Sequence, residues 1–179
     1  MLQATVAELG ASGLAGLSLG AVARRAGVHK ATLYRRWGTR ERLLLELMRE
    51  QAAEAVPVPN TGSLRQDLIA LAQAAVDNSA SPSVEPILRA IIAGLPQNPA
   101  VADAARQFWR ERMALDSKII ERAIARGEIP TTPNPRAMIE SVLAPLHLRL
   151  LITGVPADAA AIRTAVDLVI SGLAARSHY

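Results

Sequence analysis

Six side chains crowd into one short stretch, His29, Lys30, Thr32, Tyr34, Arg35 and Arg36, and together they offer positive charge and hydrogen-bonding groups. Lysine and arginine attract phosphate, while short polar groups and guanidinium forks read the edges of bases. No nucleophile stands beside a base and an orienting partner, and no Gly-rich phosphate loop follows a strand. The chemistry on offer is recognition, not bond making.

Two short helices pinched around Gly27 must present these groups. In the first, Leu19, Val22, Ala23 and Ala26 recur at helical spacing and give one apolar face. Ser18 precedes them, placed to cap free backbone N–H groups, and Gly27 follows them, suited to a left-handed helix end. Val28 is expected to pack at the corner. A second helix then runs to Trp37, with Leu33 and Trp37 facing inward and the polar groups outward. This is a helix-turn-helix layout, whose second helix enters the major groove of double-stranded DNA.

The charge distribution agrees. Residues 18–40 hold six basic side chains and no acidic one, and the first fifty residues hold eight Lys/Arg against four Asp/Glu. The remaining residues balance at twelve and twelve, so the formal net charge of +4 arises in the first fifty. A patch of one sign on a small domain is an electrostatic footprint for phosphates.

At these residues the chain resembles the TetR family of bacterial transcriptional regulators. The matching elements are Ser18, Ala26-Gly27-Val28, Thr32-Leu33-Tyr34, Trp37, Gly38-Thr39, Arg40 and Leu43-Leu44. The resemblance is strong over residues 1–50 and architectural beyond. It implies an all-α protein of about nine helices. A three-helix helix-turn-helix domain (1–50) would precede a larger helical ligand-binding and dimerisation domain (51–179). It also implies a homodimer on a palindromic operator, most often a repressor that a small molecule releases. Lys30, Thr32, His29 and Arg35 are expected at base edges. Ser18, Tyr34, Arg36 and Arg40 are expected at phosphates. Arg40 lies in the first turn of the fourth helix, where a cation is unfavourable against the helix dipole. A docked phosphate would account for it, and the alternative is an Arg lying over Tyr34 or paired with a nearby Glu.

Half of the 179 residues are hydrophobic but only 3% are aromatic, which favours a core of Leu, Ile, Val and Ala in helices packed on helices. There is no cysteine, and the three histidines (His29, His147, His178) are far apart, so no metal cluster and no cofactor site is read. MLQATVAEL has no basic n-region, and no uncharged apolar run approaches the about 18 residues that span a bilayer. A cytoplasmic protein without membrane contact is expected.

The first helix is expected over Leu2–Leu9, followed by a Gly-rich loop (11–16) whose Leu14 and Leu17 plug the small core. Thr39 caps the fourth helix, which carries Leu43, Leu44, Leu47 and Met48. All eleven prolines lie at or beyond Pro57, and VPVPNTGS (56–63) reads as a stiff connector. Five helices follow: 64–78, 83–95, one long helix over 99–126, 135–153 with Pro145 inside it, and 156–176.

The long helix carries Phe108, Trp109, Arg112 and Met113, with Asp116 one turn beyond Arg112. Two charges beside an apolar stripe need a partner. They form a structural salt bridge, or Arg112 anchors an acceptor group in a largely apolar ligand pocket. His147, on another apolar helix, is a hydrogen-bonded core residue or a ligand contact. The last two helices are apolar around much of their circumference, including Ile162, Val166, Val169, Ile170 and Leu173. Two copies of that pair would form a four-helix dimer seam, which the resemblance also implies; the alternative is burial of both faces within one chain. Two further classes compete with a ligand-released repressor: a DNA-binding dimer with no small-molecule ligand, and a helical enzyme. The second lacks a convergent set of titratable residues, so no catalytic residue is assigned.

Overall fold

A computed structural model describes residues 1–131 and 134–176, with side chains to Leu173. His178 lies outside the described residues. All nine expected helices are present, and no strand occurs among the described residues. The long helix is interrupted at Ser117 and becomes two. The chain divides into two compact units.

The first unit comprises Met1–Gln51 and Ala80–Trp109. It holds α1 (Leu2–Gly16), α2 (Leu19–Ala26), α3 (Lys30–Arg36), most of α4 (Arg40–Ala55), α6 (Glu85–Gly94) and the first part of α7 (Pro99–Asp116). Helix α1 packs on both α2 and α6, and α2 packs on α3. Leu9, Leu17, Leu19, Val22, Leu33, Trp37, Leu43 and Leu47 are buried. Helix α1 continues through the expected loop, with a kink where Gly13 adopts φ 64°. Glycine accepts that conformation without a Cβ clash, so the helix bends there and resumes for one short turn. The expected division at residue 50 follows the extent of the family resemblance, a few residues before the first proline, Pro57. The compact units follow contacts, and they group residues 80–109 with the first fifty-one.

The second unit comprises Ala52–Ser79 and the chain from Arg110 onward. It contains α5 (Leu64–Ala80), α8 (Lys118–Ala125), α9 (Pro135–His147) and α10 (Ala159–Arg176), with α9 packed on α8 and α10. The Glu128 carboxylate accepts the Leu64 N–H at 2.6 Å, capping α5 from across the chain. Buried Asp67 accepts the Thr61 N–H at 2.6 Å and its hydroxyl at 2.7 Å. At Ser117 the long helix breaks. The Ser117 hydroxyl donates to the Met113 carbonyl at 2.7 Å, sharing that acceptor with the Ser117 N–H at 3.0 Å. Pro145 sits inside α9 without an N–H to give. The helix continues past it and then loosens into a π-helical stretch, Leu148–Thr153, ended by Gly154 at φ 70°. No helix among the described residues is long and apolar enough to cross a membrane.

Candidate nucleic-acid interface

Local sequence builds the α2–α3 pair as expected. The Ser18 hydroxyl accepts the Ala21 N–H at 3.2 Å, and Gly27 ends α2 at φ 67°. The Val28 N–H then bonds the Ala23 carbonyl at 3.0 Å, which closes the turn. Val28 itself is 41% exposed, so backbone bonding, not its side chain, holds the corner. Helix α3 ends at Arg36 and Trp37 follows as its cap, with Leu33 and Trp37 both buried. These two residues fix which face of α3 turns outward.

On that face His29, Lys30, Thr32, Tyr34, Arg35 and Arg36 are all exposed. The Lys30 ammonium stands 5.3 Å from the centroid of the Tyr34 ring. Its stem lies beside Gly20, where a Cβ would sit 3.4 Å from the Lys30 Cε. Lys30 is therefore steered by a glycine on α2 and a ring on its own helix. Neither Lys30 nor Arg35 forms an ion pair among the described residues. Arg36 does: it reaches Glu46 at 2.6 Å and lies 4.6 Å from the Trp37 ring centroid.

Arg40, expected at a phosphate, has a different occupation. Its Nη1 donates to the carbonyls of Leu14, Ala15 and Leu17 at 2.9, 3.0 and 3.1 Å, and its Nε to Glu41 at 2.9 Å. The Thr39 hydroxyl caps α4 by accepting the Arg42 N–H at 3.3 Å. Pairing with a nearby Glu was the alternative that the sequence offered for Arg40, and Glu41 is that partner. Gly20 and the three carbonyls were not singled out by sequence.

The residues expected at a ligand divide between the units. In the first, Phe108 and Trp109 meet edge to face, with ring centroids 5.0 Å apart. In the second, Arg112 and Asp116 form a buried two-pronged ion pair, with Nε to Oδ2 at 2.9 Å and a second bond from Nη2 to Oδ1. Arg112 Nη1 also donates to the Ala52 carbonyl at 3.4 Å. Burial pushes the Asp116 carboxyl above its ordinary range, against the pull of Arg112. Met113 is buried, and its carbonyl accepts Ser117. His147 Nε2 lies 3.2 Å from the Ser79 hydroxyl. Burial pushes its imidazole below 6.5, although a bond to the Leu143 carbonyl opposes this. Ser79, a buried polar residue among apolar neighbours on α5, was the missed partner. No group of three metal-ligating side chains occurs among the described residues. In the first unit an apolar crevice of about 10 Å³, near the size that holds one water, lies among Glu41, Leu44, Met48, Ile91 and Ala105. None of the expected ligand residues lines it.

Residues 1–47 match the family described as bacterial regulatory proteins, tetR family. Residues 58–169 match the tetracyclin repressor-like C-terminal domain. The HTH-type transcriptional regulator AqdR of Rhodococcus erythropolis is 30% identical over 172 residues, 96% of this chain and 83% of that protein. An uncharacterized HTH-type transcriptional regulator of Mycobacterium tuberculosis, Rv1556, is 32% identical over 174 residues, 95% of this chain and 84% of the other. Among solved structures, the TetR family transcription regulator SCO0332 superposes with a TM-score of 0.77 at 28% identity, covering 96% of this chain and 94% of its own.

Proposed function

The chain belongs to the TetR family of bacterial regulatory proteins, and on that premise we propose that it is a cytoplasmic, homodimeric DNA-binding repressor released from its operator by a small molecule. The observation that carries the DNA-binding part is the outward face of α3, where Lys30 and Arg35 stand exposed and, among the described residues, without an ion pair, over the buried Leu33 and Trp37. Lys30, Thr32, His29 and Arg35 read base edges; Ser18, Tyr34 and Arg36 hold phosphates and fix the register. Residues 1–50 form the DNA-binding domain and residues 51–179 the regulatory and dimerisation domain.

The dimer seam lies along the end of α9, the π-helical stretch and α10. Leu148, Ile152, Val155 and Leu168 are 53, 60, 43 and 70% exposed, which supports a partner there. Ile162 and Val166, placed in the seam by sequence, are buried within the chain, while Val169, Ile170 and Leu173 are half-buried. A released state requires an effector that prefers the spread dimer, because equal affinity for both states shifts nothing. Of the residues expected at a ligand, Met113 and His147, both of the second unit, would line its pocket. An acceptor on that effector would have to displace Asp116 from Arg112.

Selection of bound fragments from a random DNA pool tests the reading. A palindromic winner whose half-site centres lie one turn apart, roughly 34–36 Å, is expected for a two-fold dimer of such motifs. Failure to enrich any sequence over several rounds at low salt would sink it.

A further inference from the structure

We propose that Arg40 is a positioning residue that ties the start of α4 to the end of α1 and so sets how α2 and α3 are presented to DNA; this rests on the DNA-binding reading above. The last carbonyls of a helix have no intrahelical partner and carry the negative end of its dipole. Beyond the kink at Gly13, the carbonyls of Leu14 and Ala15 in the last turn of α1 and of its cap residue Leu17 all receive Arg40 Nη1 within 3.1 Å. That of Leu14 also accepts the Leu17 N–H at 3.3 Å. One nitrogen carries two hydrogens, so the three acceptors share them. A cation suits that cluster for the same reason it does not suit the first turn of α4.

Glu41 holds the other edge of the guanidinium through Nε at 2.9 Å, and both side chains are largely covered, 26% and 15% exposed. Burial would raise the Glu41 carboxyl. The bonds from Arg40, its own backbone and Thr39, with the Arg40 charge, hold it below its ordinary range, so it remains a carboxylate. Leu17 is 2% exposed, and the next residue, Ser18, caps α2. No slack chain separates the Arg40 contact from the helix that precedes the Gly27 turn. A shift of α4 along its axis would therefore move the first turn of α2, and α3 with it. A phosphate contact by Arg40 would instead compete with three carbonyls already in place.

Two substitutions separate these roles. Lysine keeps the charge for a phosphate but cannot hold Glu41 and the carbonyl cluster together, whereas glutamine removes the charge. The arms are Arg40→Lys and Arg40→Gln in the full chain, read by amide hydrogen exchange and by binding to the selected DNA across a salt series. Both variants are expected to raise exchange at Leu17, Ala21 and Val22 by roughly tenfold while α9 amides stay unchanged. Both should lose roughly tenfold in affinity for the selected sequence, with affinity for unrelated DNA and the salt slope retained. A lysine variant that binds like the parent, beside a glutamine variant whose slope falls by about one unit, would overturn the proposal in favour of a phosphate contact. Unchanged exchange at Leu17 and Ala21 would overturn it as well. If the parent protein selects no DNA, the DNA-binding reading fails, and the exchange measurement alone still decides whether Arg40 holds α1 to α4.

Discussion

Two groups of cations in this molecule have the same chemistry and opposite circumstances. On α3, Lys30 and Arg35 face solvent without a carboxylate partner among the described residues, and Lys30 lies against Gly20 and the Tyr34 ring. At the end of α7, Arg112 is 9% exposed, locked to Asp116 and bonded to the Ala52 carbonyl. A cation with no partner in the fold has its energy in what it binds later. A cation buried with a carboxylate has its energy in the fold, and removing it strands the other charge. Position in the packing, not residue type, decides which of the two an arginine becomes.

The largest effect should come from breaking the buried side of that contrast. Arg112→Met leaves Asp116 buried without its partner and should cost about 3–5 kcal/mol in chemical unfolding, whereas Arg112→Met with Asp116→Leu should recover most of it. A mild single substitution would mean that the pair is not structural, and the distinction between the two regions would collapse. The apolar residues of α10 allow a parallel test. Leu168 is 70% exposed and Ile162 is 1% exposed on the same helix. Leu168→Glu should yield a folded monomer by light scattering, while Ile162→Glu should fail to fold, because an unpaired charge enters the core. A Leu168→Glu protein that stays dimeric would move the seam elsewhere. Ile170→Glu should fall between them, since Ile170 is half-buried.

On the exposed side, Lys30→Ala and Thr32→Ala should each alter base preference, by about 1–3 kcal/mol per lost base contact. Their unfolding free energies should stay within about 0.5 kcal/mol of the parent, as for surface substitutions. A destabilised Lys30→Ala would show that Lys30 belongs with Arg112, not against it. The smallest effect concerns pH. Burial lowers the His147 pKa below its unfolded value of 6.5, so the unfolded chain binds the proton more readily. The resulting stability is present above 6.5 and is lost as pH falls from there towards the folded pKa. The thermal midpoint should drop on acidification through that window, and His147→Gln should flatten the drop. Identical pH profiles for the two proteins would remove His147 as a titrating group.

What could be read along the chain was whatever is local. The Ser18 cap, the apolar spacing of α2, the left-handed Gly27 and the inward pair Leu33 and Trp37 each depend on neighbours within four residues, so helix geometry alone places them. The outward face of α3 follows from them, and so does the resemblance that the family comparison then secured. The i, i+4 spacing of Arg112 and Asp116 likewise made a salt bridge legible. Only the tertiary structure decided where long-range donors end. Arg40 meets carbonyls 23 to 26 residues away, Glu128 caps a helix 64 residues away, and His147 finds Ser79 at a separation of 68. It also carried α1 past Gly13, broke the long helix at Ser117 and set residues 80–109 beside the first fifty-one. Orphan carbonyls and buried polar groups must be satisfied by whatever the packing brings near, and a linear pattern carries no record of that proximity.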